Sequence, residues 1–152
     1  MKRVMVLAVL AISLFAAPYK MGQSVMPLDL SDQYGKRYKM KVMPKTLIMA
    51  FEKGTGATVN EYLTVHDKDY LKKNNATFVA DISLMPKFIT ESFALPKMRK
   101  YTHTVLLIRD EEQGLRFPAE DEKITVMKFR GNFLTKIEFI STEAELKAAI
   151  EK

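Results

Sequence analysis

Two glycines stand two residues apart in the run Glu52-Lys53-Gly54-Thr55-Gly56-Ala57-Thr58, between an apolar stretch and a segment of helical periodicity. A glycine-bearing turn from strand to helix can expose backbone N–H groups. With hydroxyls such as those of Thr55 and Thr58, these would hold an anion or carboxylate at a helix N-terminus. The spacing is also half of a dinucleotide fingerprint, but the third glycine is replaced by Val59. A tight turn needing small residues would produce the same pattern. Glu52 is the acid adjacent to it. Glu52, Gly54, Thr55, Gly56 and Thr58 are therefore the expected ligand-binding residues.

The remaining chemistry-bearing residues are sparse. His66 and His103 are the only histidines, and neither has a second ligand at metal spacing, so no metal site is expected. His103 lies between two threonines at the mouth of an apolar run, as a polar pocket contact would. Met40 and Met43 have spacing suited to Cu(I), although methionine more commonly fills gaps in a core. The 152 residues contain no cysteine, which removes disulfides, thiolate nucleophiles and thiol redox exchange together. No catalytic residue and no cofactor are expected.

The elements that must position these residues follow from runs and turns. Thr46 to Phe51, Ala76 to Ala80 and Thr104 to Arg109 are continuous apolar runs, as expected of strands covered on both faces. A helix is predicted over 58–73, ended by Asn74-Asn75. A second is predicted from Leu84, capped by Ser83, with Pro86 in its first turn and Leu95-Pro96 breaking or kinking it. The acidic residues 110–112 with Gly114 read as a turn. Arg130-Gly131-Asn132 joins two strands as a hairpin, and Thr142 and Glu145 have capping-box spacing for a last helix. The predicted order is β-α-β-α-β-β-β-α in one domain over 18–152, an α/β protein with a central mixed sheet and helices on both faces.

The opening segment, Gly22-x-x-x-Met26-Pro27-Leu28-x-Leu30-x-Asp32-x-x-Gly35-Lys36, resembles the entry of thioredoxin-like proteins related to peroxiredoxins and TlpA/ResA. The closing segment, Ile124 to Ile150, is similar to the hairpin and terminal helix of the same superfamily. The resemblance implies a thioredoxin-like fold with β-α-β followed by β-β-α. It also implies that redox cysteines would fall just after the first central strand, where Glu52 to Thr58 stand. A cis-proline would face them, where Ala119 to Lys123 stand and Pro118 is too far upstream. The implied contact surface is thus Glu52 to Thr58 with Asp121 to Lys123 opposite. The expected function is a non-redox module that binds an envelope protein partner or a small anionic ligand. The alternative is a nucleotide- or flavin-dependent oxidoreductase using the Gly54-Gly56 turn.

Composition bounds the rest. Hydrophobic residues make up 47% and charged residues 28%, and the formal net charge is +6, of which Lys2 and Arg3 supply two. Lysines alternate with acids along most of the chain, which argues against nucleic acid as a partner. Two basic clusters, Lys36-Arg37-Lys39-Lys41 and Lys97-Arg99-Lys100, could touch an anionic surface, although solvated faces suffice to explain them. Lys2 and Arg3 precede an apolar run from Val4 to Ala17, interrupted by Ser13 and closed by Ala16-Ala17. This is the pattern of a secretory signal peptide over 1–17, too short to span a bilayer at roughly 20 residues. A periplasmic or secreted protein without a stable membrane span is expected. Intact mass of protein recovered from the cell envelope should correspond to cleavage after Ala16 or Ala17; a mass retaining Met1 to Phe15 would instead indicate an anchor.

Overall fold

The computed structural model describes residues 17–152; the expected signal segment, apart from Ala17, lies outside them. The centre of the molecule is β3, Thr46–Ala50, whose five residues are all buried. It pairs in parallel with β4, Ala76–Asp81, and antiparallel with β6, Ile124–Arg130. On the β4 side the sheet continues through β5, Leu106–Ile108, then β1, Asp29–Asp32, and β2, Arg37–Lys39. On the β6 side it ends with β7, Phe133–Ile140. The seven-stranded order is β2-β1-β5-β4-β3-β6-β7, a mixed sheet.

Alternation along these strands divides the core in two. Ile48, Ala50, Phe78, Ala80, Leu107 and Val126 face one cluster, while Leu47, Met49, Val79, Ile108 and Met127 face the other. The first cluster receives Val59 and Leu63 from α1, Lys53–Thr64, and Leu71 from α2, Tyr70–Lys73. It also receives Leu95 and, from the terminal helix, Leu146 and Ile150. The second cluster is closed by Val25 and Leu28 of the entry segment and by Phe117, and Met43 is buried there with Met40 packed beside it.

Several predicted boundaries are corrected. The helix expected over 58–73 is two helices, and α1 starts five residues earlier, at Lys53, so Gly54 and Gly56 are helical rather than in a loop. The second predicted helix does not begin at Leu84. Asp81 Oδ1 accepts the Ser83 N–H at 2.9 Å and turns the chain, so α3, Lys87–Ile89, begins after Pro86. Pro96 does not end the helix: the residues before it widen into a π turn, Thr90–Ala94, before α4, Leu95–Met98. An i→i−5 bond from the Leu95 N–H to the Thr90 carbonyl replaces the usual ladder there, relieving the clash that a proline ring imposes. The predicted acidic turn contains a short helix, α5, Glu111–Leu115, capped by the Asp110 carboxylate on the Gln113 N–H at 2.8 Å. Gly114 of α5 packs against the Asp81 side chain at the end of β4, which a Cβ there would displace.

Two features stand as expected. Thr142 caps α6, Glu143–Glu151, in a reciprocal box with Glu145. Gly131, at φ 60°, turns the β6–β7 hairpin.

Candidate functional site

The parallel strands β3, β4 and β5 point their C-terminal ends the same way, and β6 begins at that end. A cleft of about 330 Å³ opens there, lined by Glu52, Gly54, Thr55, Thr58, Glu122, Ile124 and Ser141. Four of the five residues expected to bind a ligand therefore meet in one place. Gly56 does not: its open side faces Ala50, with a Cβ position 3.9 Å from the Ala50 Cβ. Its N–H donates to the Glu52 carbonyl at 2.9 Å, the first bond of the α1 ladder.

Glu52 is the organising residue. Its backbone is extended at the N-cap of α1, and its N–H donates to Thr55 Oγ at 3.3 Å while that hydroxyl donates to the Glu52 carbonyl at 3.0 Å. This reciprocal pair starts a helix whose two glycines would otherwise disfavour it. The Glu52 carboxylate then reaches across the cleft and accepts the Glu122 N–H, at 3.2 Å to each oxygen. Glu122 has φ 59°, a left-handed conformation that costs a non-glycine residue roughly 1–2 kcal/mol. A charge-assisted hydrogen bond to its N–H is a fitting compensation. Thr58 Oγ donates to the Gly54 carbonyl at 3.2 Å, and Lys123 Nζ donates to Ser141 Oγ at 2.8 Å. Asp121 is exposed next to Glu122 but does not line the cleft.

Sequence reasoning included Glu122 in the stretch facing Glu52 but missed its contact, because only the backbone conformation turns its N–H toward Glu52. It also missed an apolar patch at the same end of the sheet. Leu84, Phe88 and Phe93 are 79%, 69% and 61% exposed, and the two phenylalanine rings meet edge to face at 5.9 Å. Arg109 and Glu91 join this segment to the end of β5 through a 3.4 Å ion pair. Two aromatics five residues apart, one in α3 and one inside the π turn, give no amphipathic signal that would flag the patch.

His103 is placed elsewhere, before β5 and away from the cleft. Its ring is 3% exposed, stacks on Tyr101 at 4.9 Å between centroids and pairs through Nε2 with Asn60 Oδ1 at 2.8 Å. Gln33 completes a buried polar stitch: its side chain donates to the His103 carbonyl at 2.9 Å and accepts the Val105 N–H at 2.9 Å. These bonds tie the β1–β2 turn and α1 to β5. His66 stacks on Tyr70 at 4.2 Å on the outer side of α1. Among the described residues no group of three or more acidic or histidine side chains could hold a metal ion.

No family model matches, and no curated protein does. Solved structures do match over most of the chain. It is similar to a SCO1/SenC family lipoprotein from Bacillus anthracis, with a TM-score of 0.56 at 11% identity, covering 90% of this chain and 98% of that one. It is similar to the thioredoxin domain of a thiol-disulfide oxidoreductase from Bacteroides vulgatus, with a TM-score of 0.53 at 11% identity, covering 87% and 99%. Peroxidoxin BcpB from Mycobacterium tuberculosis matches with a TM-score of 0.51 at 16% identity, covering 86% and 94%. At these identities the likeness concerns the fold, and the fold is thioredoxin-like. This chain carries it without a cysteine. No helix among the described residues is long and apolar enough to cross a membrane.

Burial of His103 away from water pushes its pKa down to about 4. In the unfolded chain the imidazole takes up a proton below about pH 6.5, whereas in the fold it stays neutral until about pH 4. Stability contributed above pH 6.5 is therefore lost as pH falls through this window, by about 1–3 kcal/mol. Denaturant unfolding at pH 7.5 and pH 4.5 should show this loss, and His103→Gln, which keeps a donor for Asn60, should reduce the difference between the two pH values by that amount. Equal pH dependence in both proteins would contradict it.

Proposed function

We propose that this chain is an exported, thioredoxin-like binding module without thiol chemistry, whose contact surface is the end of the sheet that carries Glu52. The observation that supports this most strongly is the fate of the segment after the first central strand. Where related folds would be expected to carry a redox cysteine, this chain has a carboxylate already engaged with the Glu122 N–H across the cleft. That arrangement ties the two sides of the cleft together, and it supplies no thiolate for redox exchange.

The chemistry of the surroundings favours a protein partner over a small anion at this site. Two carboxylates line the cleft, and Glu111, Glu112, Glu120 and Asp121 are exposed on neighbouring segments of the same end. An anion entering here would meet like charge, whereas a basic segment would find complementary potential. Leu84, Phe88 and Phe93 add apolar area of the kind that anchors protein interfaces. The fitting partner is a protein segment with lysines or arginines beside an aromatic or aliphatic anchor. The oxidoreductase alternative has weaker support, because Gly54 and Gly56 are helical and no glycine loop is left to cradle a pyrophosphate.

Calorimetric titration of the processed chain with a peptide alternating arginine and phenylalanine tests the proposal. Saturable binding is expected, weakened at least tenfold by Glu52→Lys or by Phe93→Ser, with no turnover in insulin-reduction or peroxide assays. Binding indifferent to both substitutions would sink the proposal. So would reproducible thiol turnover, or a saturable rise in melting temperature with NAD(H) or FMN.

A further inference from the structure

The opposite end of the sheet holds a second, larger cleft of different chemistry. About 480 Å³ in volume, it opens between the β1–β2 hairpin, α2 and the first residues of β4 and β5. Its apolar wall is formed by Tyr38, Met40 and Leu71, which belong to the margins of the two cores, and its cations are Lys36, Lys68 and Lys72. Among the described residues none of these three lysines has a carboxylate within ion-pair distance, although other basic residues nearby do: Arg37 pairs with Asp29 and Lys73 with Asp67. Lys36 instead lies over the Tyr38 ring, 5.2 Å from its centroid. Asp69 is the sole acid in the lining, so the cleft carries an excess of positive charge.

Three ammonium groups against the single lining carboxylate of Asp69 leave a concave surface with net positive potential that attracts an anion. Cations alone would suit a free inorganic ion, but here they rim an apolar wall. The volume falls in the range of small-molecule sites, about 300–1,000 Å³. Thr77 and Thr104 line the same cleft and supply hydroxyls that can donate to an acidic head group. We infer that this cleft binds a small organic anion, with its acidic head among Lys36, Lys68 and Lys72 and its alkyl or aromatic body against Tyr38, Met40 and Leu71. The site is independent of the Glu52 cleft, since it lies at the other end of the strands and carries the opposite charge.

Decanoate is a suitable probe, titrated into the processed chain by calorimetry at low salt with amide chemical shifts followed in parallel. Saturable binding of one equivalent is expected, with shifts at 36–40, 68–77 and 104–106. Decanol, which lacks the charge, and inorganic phosphate, which lacks the apolar body, should each bind at least tenfold more weakly. The exposed double substitution Lys68→Glu/Lys72→Glu should weaken decanoate at least tenfold without lowering the melting temperature; Lys36→Glu on the hairpin is a second, separate test. Lys97→Glu/Lys100→Glu should leave binding unchanged. Equal affinity for decanol or for phosphate would overturn the inference. So would undiminished binding in both charge-reversed variants, or shifts confined to Phe88 and Phe93.

Discussion

The strand β3 must be buried on both faces, and the rest of the structure depends on that. Leu47, Ile48 and Met49 are 0% exposed, so neither side of the sheet is left to solvent at its centre. A strand with this composition needs partners on both edges and a layer over each face. β4 and β6 supply the edges. The helices α1, α2, α4 and α6 contribute to one layer, and the entry segment with Phe117 closes the other. With no cysteine available, stability rests on this packing and on the polar stitches through Gln33, His103 and Asn60. Where β3 ends fixes where Glu52 stands.

The same geometry separates the molecule's charges. Segments that follow the parallel strands bring Glu52 and Glu122 together at one end, while the β1–β2 hairpin and α2 bring Lys36, Lys68 and Lys72 together at the other. The sequence-wide charge of +6 hides this division. A thioredoxin-like fold offers a ready concavity beyond the ends of its central strands. In this chain the carboxylate of the N-cap residue Glu52 and a backbone donor in a left-handed residue occupy it. The site there is polar, which is what the proposed recognition role requires.

The sequence made the central strands and the last hairpin legible because their signals are local: continuous apolar runs for β3, β4 and β5, a glycine at positive φ for the β6–β7 turn, and capping-box spacing for α6, whereas the β1–β2 edge hairpin was absent from the predicted order. The resemblance of the entry segment covered the β1 turn, where Asp32 Oδ1 accepts the Tyr34 and Lys36 N–H groups at 2.8 and 2.9 Å. What escaped depended on distant or cooperative interactions. Gly54 and Gly56 read as a loop because glycine disfavours helices, yet Glu52 and Thr55 start the helix and Gly56 packs toward Ala50. Leu95-Pro96 read as a break or a kink, and the π turn before it is a local irregularity whose form one proline does not foretell. Of the expected site, Glu52, Gly54, Thr55 and Thr58 line one cleft, His103 stitches the fold instead, and within the facing stretch Asp121 to Lys123 it is Glu122, through its backbone angle, that meets Glu52.

The central claim is that the Glu52 end of this cysteine-free fold is a recognition surface. It is tested most directly by mapping a bound basic, aromatic-bearing peptide on the isotopically labelled chain by amide chemical shifts. The account predicts perturbations concentrated at Glu52 to Thr58, Leu84 to Phe93 and Glu120 to Ile124, with the Lys36 to Met40 hairpin unaffected. Perturbations centred on that hairpin, or spread evenly over the surface, would contradict it.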